Sequence, residues 1–422
     1  MTDSGALVVR GRLVQPARVV DDGVVVTFGG RVTFAGSVPD AVAAGHGPLV
    51  ESVPPAPETY VLPGLVDLHN HGGGGVSFPD VTSSAAALAG VLEHRRHGTT
   101  TLLASLVTAR PEVLLDRAAV LAELAEAGEI EGLHAEGPFL SHRRRGAHNP
   151  ADLQEGSVDL VRDLAAAARG FLRTMTIAAE VPGVAGPGGA AEALVDAGVL
   201  PSLGHTDGST EQAEALIAQV TKALAGRGGT LGPMTATHLF NGMRPLHHRT
   251  PGPIAACLAA ASRGDMVVEL IGDGVHLDPA TVRSVFDMVG ADQVALVTDA
   301  MAAAGVADGH YDLGPMSVMV LDGVARIADA ADTAGDGEGP IAGGTAHLID
   351  VVRCAVAGGV PLPDAVRSAT AVPARVLGLA GEVGCLAPGA RADLLVTDAD
   401  LRPVRVLRHG ADVGVDVDVA GA

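Results

Sequence analysis

Residues 65–71 read LVDLHNH, a short apolar run that ends in two histidines. Seven similar runs follow it: TTLLASLVT (100–108), IEGLHAEG (130–137), RTMTIAAE (173–180), LPSLGH (200–205), MTATHLFN (234–241), MVVELIGDG (266–274) and QVALVTDA (293–300). Ala- and Leu-rich helical stretches lie between the runs and after the last one, at 81–97, 112–127, 158–169, 209–225, 278–289 and 345–357. Eight strand-then-helix units predict a closed parallel (β/α)8 TIM-like barrel.

An open doubly wound sheet is the alternative for the same alternating pattern. The barrel is favoured because eight is the number of strands that closes it. In addition, the sequence contains neither a GxGxxG nor a GKT phosphate loop, which open sheets use to bind nucleotides.

The two ends of the chain differ from this middle part. Residues 5–60 alternate in short runs such as ALVVRGRLV and GVVVTF with glycine-containing turns between them, and residues 390–410 look similar. Two-residue alternation punctuated by glycine predicts antiparallel strands. We therefore expect residues 1–61 together with 381–422 to form a small β-sandwich domain, and residues 62–380 to form the barrel.

The composition limits the function. A formal net charge of −21 disfavours binding to nucleic acid or to anionic membranes. Cys257, Cys354 and Cys385 are far apart and form no CxxC pair, which favours a reducing compartment. The first residues contain no apolar stretch typical of a signal peptide, so a soluble cytoplasmic protein is expected.

Candidate metal ligands stand where strands end, which is where such barrels carry their chemistry. His69 and His71 share one side of the first strand. Glu136 ends the third strand, and a buried carboxylate is costly unless it is paired or binds a metal. His205 and His238 end the fifth and sixth strands; either one alone is equally well read as a packed core histidine. Together these imidazoles and the carboxylate suit zinc or ferrous iron in a catalytic site.

Two further strand ends offer acid–base groups. Asp299 ends the eighth strand, where a carboxylate beside a metal can take a proton from the attacking water and later give it to the leaving group. The alternative for Asp299 is the N-cap of a following helix. His276 follows the seventh strand in GDGVH, where an imidazole can polarise a substrate carbonyl; its alternative is an ordinary surface residue.

These residues resemble the amidohydrolase superfamily and, within it, closely resemble the N-acetylglucosamine-6-phosphate deacetylase family. The segments that carry the likeness are, in chain order, LPGLVDLHNHGGGG, GLHAEGPFL, GAHNP, GHTDG, THLFNGM, DGVHLD, LVTDAMAAAG, AGGTA (342–346) and AVPARVLGL with GCLAPGARADLLV. They span nearly the whole chain. Glu136 stands where many members of the superfamily have a carboxylated lysine.

The resemblance implies a cytoplasmic homodimer, with a barrel and a small β-sandwich, that removes acetate from N-acetyl-D-glucosamine 6-phosphate. The residues implied to hold the main divalent metal are Glu136, His205 and His238. Zinc is favoured, and iron is the alternative. Members with the histidine pair on strand one can hold a second ion, so one or two ions per subunit are expected. The residues implied for that second ion are His69, His71 and Asp299, with Glu136 bridging.

The same resemblance implies roles toward the substrate. His276 is expected to polarise the amide carbonyl, and His148 to contact the sugar. Asn241 and Gly242 are expected to bind the phosphate through backbone amides, aided by Arg249, which in the family reaches across the dimer. A departure from the family is Gly242, where alanine is frequent. An acidic, small-residue loop at 328–339 is a second departure.

A chain with a net charge of −21 repels a phosphate, so a phosphate site needs cationic residues close to it. Two groups of them are candidates: Arg244, His247, His248 and Arg249, and the run Arg143, Arg144 and Arg145 near His148. The alternative for each group is a solvated loop.

Other functions stay open at this point. The same chemistry on the galactosamine epimer is not distinguished by the sequence. A cyclic amide substrate, as in dihydroorotase-like relatives, is disfavoured because those relatives usually place a lysine on the fourth strand, and RTMTIAAE has none. A catalytically inactive barrel that acts as a binding protein is disfavoured because the ligand set and Asp299 are all present.

Overall fold

The computed structural model of the chain describes residues 5–228, 231–328 and 339–415. Its strands are β1 (Ala6–Gln15), β2 (Arg18–Phe28), β3 (Arg31–Ser37), β4 (Tyr60–Pro63), β5 (Leu65–Asn70), β6 (Gly72–Gly73), β7 (Val76–Ser77), β8 (Thr99–Val107), β9 (Gly132–Glu136), β10 (Leu172–Ile177), β11 (Leu200–Leu203), β12 (Met234–Ala236), β13 (Met266–Leu270), β14 (Val294–Leu296), β15 (Gly309–Leu313), β16 (Met316–Leu321), β17 (Val324–Ile327), β18 (Leu394–Thr397), β19 (Pro403–Arg408) and β20 (Ala411–Asp412). Its α-helices are α1 (Val38–Ala41), α2 (Gly47–Glu51), α3 (Ser84–Arg96), α4 (Pro111–Glu126), α5 (Val158–Ala167), α6 (Ala190–Asp196), α7 (Thr210–Gly226), α8 (Gly252–Ser262), α9 (Pro279–Val289), α10 (Leu348–Ala357), α11 (Leu362–Ser368) and α12 (Ala371–Val376).

Eight parallel strands form the barrel in the order of the chain, from β5 through β8 to β14. Every residue of these strands is buried except Arg173. Helices cover the outside of the barrel and side chains fill its inside, so the strands read as nearly continuous apolar runs. The helices α3 to α10 each follow one barrel strand. The predicted (β/α)8 fold is confirmed.

The barrel closes through residues that follow β14. The backbone N–H of Asp299 donates to the carbonyl oxygen of His69 at 2.9 Å. Two residues earlier on β5, the buried Asp67 carboxylate accepts a hydrogen bond from the Thr298 hydroxyl at 2.6 Å. These hydrogen bonds join the first and last strands near their carboxyl ends, where the candidate ligands lie.

The strands of both chain ends form one sheet, in the order β20-β19-β18-β4-β1-β2-β3. The N–H of Val32 donates to the carbonyl of Ala390 at 2.9 Å, which joins β3 back to the segment before β18. The sheet therefore curls on itself, and the layers of the expected sandwich are parts of one continuous sheet. The apolar side chains that cluster on its inner face include Val9, Leu13, Val25, Val61, Leu394 and Leu407.

A second, three-stranded antiparallel sheet, β15 to β17, is inserted between β14 and α10. Its side chains Leu313 and Val318 pack against Val107 at the end of β8 and against Met301. This sheet therefore lies beside the carboxyl ends of the barrel strands. Most of the 328–339 loop falls outside the described residues. No helix in the described part of the chain is long and apolar enough to cross a membrane.

Candidate metal centre and active site

Glu136 lies between two pairs of histidines at the carboxyl end of the barrel. Its Oε1 is 2.9 Å from His205 Nε2 and 2.8 Å from His238 Nε2. Its Oε2 is 3.2 Å from His71 Nε2 and 3.7 Å from His69 Nε2. One carboxylate oxygen therefore faces each pair.

Asp299 completes the group from the opposite side of the seam. Its Oδ1 lies 3.2 Å from the Nε2 atoms of both His69 and His71. It is 8% exposed, and the other five residues of the group are buried as well. The structure thus brings together the six side chains that the sequence suggests as metal ligands: His69, His71, Glu136, His205, His238 and Asp299.

Three of these residues have an unusual backbone conformation. The φ angles are +44° at His205, +27° at His238 and +48° at Asp299. Positive φ is uncommon outside glycine because Cβ crowds the backbone, and such residues concentrate at functional sites. Each of the three follows a barrel strand within three residues. The bend turns the side chain inward over the barrel mouth.

Hydrogen bonds fix which ring nitrogen faces the centre. His205 donates from Nδ1 to the Arg144 carbonyl at 2.7 Å. His71 likewise pairs Nδ1 with the Ser105 carbonyl at 3.2 Å. A ring protonated at Nδ1 presents the lone pair of Nε2, which is the form that binds metals.

The converging atoms fit divalent metal ions. The Nε2 atoms of His69 and His71 are 2.9 Å apart, and those of His205 and His238 are 3.2 Å apart. Ligand atoms of one tetrahedral zinc lie about 3.3 Å apart, because each bond is about 2.0–2.1 Å long. The donor set can therefore hold one ion beside each histidine pair, with Glu136 available to both.

The two carboxylates of the centre, Glu136 and Asp299, are ionised. Burial alone raises the pKa of Glu136, but its interactions with the imidazoles of His148, His69 and His205 outweigh burial and hold that pKa well below its ordinary range. For Asp299, the charge of His69 and a hydrogen bond from His71 likewise outweigh burial, and the pKa is lowered. Both carboxylates are therefore ionised at neutral pH, and a divalent cation can neutralise them.

Two other histidines near the centre have different roles. The N–H of Thr108 donates to His148 Nδ1 at 3.4 Å, so His148 carries its proton on Nε2, which is 3.4 Å from Glu136 Oε2. This ring can donate to a carboxylate or to a sugar oxygen. His134 is held between Ser105 Oγ and Thr176 Oγ1, each at 2.9 Å. Burial and the charge of His69 lower the pKa of His134 well below its ordinary value, as expected for a packed core histidine.

His276 is oriented by a neighbouring carboxylate. Its Nδ1 lies 2.8 Å from Asp273 Oδ2, and the Asp273 Oδ1 accepts from the His276 backbone N–H. Burial acts to raise the pKa of Asp273, but the hydrogen bond and charge of His276 outweigh it, and the pKa is lowered. The ring is therefore fixed with Nε2 available to a substrate oxygen.

A cavity of about 270 Å³ lies over the centre. It is lined by His71, Val107, Glu136, Gly146, Ala147, His148, His205, His238, Asn241, Gly242, His276, Asp299, Leu313, Pro340, Ile341 and Gly343. None of these described lining residues is Arg or Lys. Arg249 is exposed and is not among the described residues that line the cavity.

The two predicted cationic groups are instead joined by an aspartate. Asp207 accepts from Arg144 Nε at 2.8 Å and from Arg244 Nη2 at 3.1 Å. Hydrogen bonds from Arg244 and Arg144 lower the pKa of Asp207 to about 2. Asp207 lies in the segment GHTDG and is not among the predicted site residues. The sequence signal for this contact was the run of three arginines at 143–145, which needs an acidic partner somewhere in the fold.

Glu269 is a second residue that sequence reasoning missed. It is 4% exposed on β13, and its Oε2 lies 3.6 Å from His69 Nδ1 and 3.4 Å from the His238 backbone nitrogen. Among the described residues, the Nδ1 atoms of His69 and His238 are buried without a hydrogen-bond partner. The available signal was an acidic residue inside the apolar run MVVELIGDG.

Comparison with known proteins gives consistent matches. Residues 60–421 match the model of the amidohydrolase family. An N-acetylglucosamine-6-phosphate deacetylase of Bacillus subtilis is 30% identical over 84% of this chain and 84% of its own length. An N-acetylgalactosamine-6-phosphate deacetylase of Escherichia coli O157:H7 is 31% identical over 88% of this chain and 93% of its own length. A solved N-acetyl-D-glucosamine-6-phosphate deacetylase mutant from Mycobacterium smegmatis, in complex with N-acetyl-D-glucosamine 6-phosphate, has a TM-score of 0.83 and 37% identity, covering 98% of this chain and 100% of that one.

Proposed function

The chain belongs to the amidohydrolase family, and we propose that it hydrolyses N-acetyl-D-glucosamine 6-phosphate to glucosamine 6-phosphate and acetate. The observation that carries this proposal is the position of Glu136 between two histidine pairs, with Asp299 opposite and His276 on the same cavity. The named activity of the Bacillus and Mycobacterium relatives supports the choice of substrate.

We propose that Glu136, His205 and His238 hold the main divalent metal and that His69, His71 and Asp299 hold a second. Zinc is favoured for these imidazole and carboxylate ligands, with iron as the alternative. When bound, the metal polarises the amide carbonyl and lowers the pKa of water to about 7.

The remaining chemistry falls to side chains of the chain. Asp299 is ionised at neutral pH, so it accepts a proton from the attacking water and then passes that proton to the sugar nitrogen. The C–N bond breaks as the nitrogen is protonated, and acetate and the free amine leave. His276 donates from Nδ1 to Asp273, so it can also donate from Nε2 to the carbonyl oxygen in its imidazolium form, as negative charge develops there.

The phosphate requires cationic groups that one chain does not place at the cavity. Asn241 and Gly242 line the cavity, but the backbone N–H of Asn241 already donates to the His238 carbonyl oxygen at 3.0 Å, and no lysine or arginine stands among the described lining residues. Arg144 and Arg244 already bind Asp207. We therefore propose a homodimer in which Arg249 of one subunit binds the phosphate at the other subunit's cavity.

The three thiols of the chain, at Cys257, Cys354 and Cys385, are all free. Free thiols are typical of proteins that work in reducing compartments. We propose that the enzyme acts in the cytoplasm.

The proposed function is tested by measuring acetate release from N-acetyl-D-glucosamine 6-phosphate by the purified zinc-loaded protein. The unphosphorylated sugar and the 6-phosphate of N-acetylgalactosamine serve as comparison substrates. The proposal expects kcat/KM to be highest for the glucosamine phosphate and to fall by at least about tenfold without the phosphate. Higher kcat/KM for the galactosamine epimer would transfer the assignment to that substrate, and no acetate from any of them would refute it.

A further inference from the structure

Two loops pack closely against the Nδ1 and Cε1 edge of the His205 ring. A Cβ atom on Gly242 would lie 2.6 Å from His205 Nδ1, and one on Gly146 would lie 3.1 Å from its Cε1. Both glycines have positive φ, at +58° and +56°. A Cβ at 2.6 Å would force the ring or the loop to move. Glycine at 242 therefore lets the loop approach the ring this closely.

A single carboxylate draws these two loops together. Asp207 Oδ1 accepts from Arg144 Nε at 2.8 Å, two residues before Gly146. Asp207 also accepts from Arg244, two residues after Gly242, at 3.3 Å from Nε and 3.1 Å from Nη2. Arginine–carboxylate bonds in this two-point arrangement fix orientation as well as distance.

Asp207 is itself held by Glu180, three residues after the end of β10. Glu180 Oε1 accepts from the Asp207 backbone N–H at 2.6 Å, and Glu180 Oε2 accepts from the Thr206 hydroxyl at 2.5 Å. The Asp207 side chain is only 9% exposed. The loop that carries Arg144 then supplies the carbonyl to which His205 Nδ1 donates at 2.7 Å.

We propose that Asp207 is a positioning residue for the metal centre. By binding Arg144 and Arg244, it presses both loops onto His205, fixes that ring with Nε2 toward Glu136, and thereby raises the affinity of the site for its divalent metal. This inference rests on the proposed metal-dependent function, and Asp207 acts through His205 without touching the substrate.

The test is the zinc affinity of the purified full chain, measured by competition with a chelating dye. Asp207→Ala should weaken zinc binding by about tenfold or more, which is the usual effect of losing a residue that orients a ligand. Gly242→Ala should weaken it by displacing the same ring. In the double variant the combined loss should be clearly smaller than the product of the two single losses, because residues that act on one group are not additive. Asp207→Asn, which keeps the side-chain shape, should give an intermediate loss.

Asp22→Asn is the matched control, because it removes a similar two-point pair with Arg10 in the small domain. Its zinc affinity should stay within about twofold of the wild type. Zinc affinity of Asp207→Ala within twofold of the wild type would overturn the proposal, and so would strictly multiplicative losses in the double variant. Because no substrate is present, a protein that fails to release acetate but shows these zinc effects would refute the proposed function alone.

Discussion

The backbone N–H of Asp299 donates a hydrogen bond to the carbonyl oxygen of His69 at 2.9 Å. Since these residues follow the last strand of the barrel and lie on the first, the bond that closes the barrel also places the proposed proton carrier beside a proposed ligand. Asp299 Oδ1 accordingly lies 3.2 Å from His69 Nε2. The roles of these two residues can be separated only by measuring catalysis and metal content independently.

Replacing Asp299 by Asn should reduce kcat by about 10²–10⁴-fold, because the amide cannot accept the proton from the attacking water. The ion held by Glu136, His205 and His238 should remain, since none of these side chains depends on the Asp299 charge for its position. Acetate release gives kcat, and elemental analysis gives the metal content. Turnover within about tenfold of the wild type would show that another group moves the proton.

The number of ions can be read from two single substitutions. His71→Asn should lower the zinc content from two ions per subunit to one, because it removes a ligand from the strand-one side of Glu136 alone. His238→Asn should instead remove the ion on the other side. Equilibrium dialysis followed by elemental analysis gives the stoichiometry. A wild-type protein with one ion, unchanged by His71→Asn, would show that the strand-one pair binds no metal.

The position of Arg249 can be tested by mixing two variant chains with different defects. Arg249→Ala should raise KM for the phosphorylated sugar by about tenfold or more with little change in kcat, because phosphate binding is lost in both ground and transition states. If Arg249 serves the partner's cavity, a heterodimer of Arg249→Ala and Asp299→Asn chains contains one complete site. It should then show wild-type KM and about half the wild-type activity.

A cis arrangement gives a different result from the same heterodimer, since neither site would be complete. KM would then stay as high as in the Arg249→Ala protein. Arg162→Ala, which changes an exposed arginine on α5, is the control for a simple change in net charge.

The stability should depend on pH through His347 at the start of α10. Its Nε2 lies 2.9 Å from Glu93 on α3, and its Nδ1 lies 3.6 Å from Asp350. Burial acts to lower the pKa of His347, but the hydrogen bonds to Asp350 and Glu93 outweigh it, and the pKa is raised. This stabilisation is fully present below the pKa of the unfolded chain, about 6.5. It is lost as pH rises through the folded-state pKa.

His347→Gln should therefore lower the free energy of unfolding more at pH 6 than at pH 9, with a cost of about 1–2 kcal/mol at the lower pH. Urea denaturation of both proteins at the two pH values measures this difference. Glu93 and Asp350 stay ionised at pH 6, because the pKa of each is lowered by His347 against the effect of burial. An equal cost at both pH values would mean that the charge of His347 does not contribute.

Much of the barrel could be predicted from the sequence because its strands are buried on both faces. The run at 130–137 contains β9, Gly132–Glu136, and the run at 100–108 nearly coincides with β8. The ligand candidates followed from the same pattern, since the ends of parallel strands meet at one rim. Elements with weaker patterns were missed: the strands of the β15–β17 sheet are short and half-buried, and they lie outside the barrel sheet.

The contacts of Asp207 with the loops of Arg144 and Arg244 leave no periodic pattern in the sequence. Arg144 and Asp207 are 63 positions apart, and Asp207 and Arg244 are 37 apart. Neither helical nor strand periodicity links residues across such distances. The sequence therefore did not reveal that Arg144 and Arg244, from the two cationic groups considered for phosphate, bind the same carboxylate. Glu269 was missed although it stands out in its strand, because it lies inside the run and not at the strand end where ligands were expected.

The Asp67–Thr298 contact joins positions 231 residues apart. A contact between such distant positions forms late, because the chain must first lose the entropy of closing a very long loop. A nascent polypeptide still lacking its last barrel strand has no seam, and β1 to β4 have not yet met β18. We therefore expect shortened chains to lose every element of the centre at once and to persist as aggregation-prone intermediates.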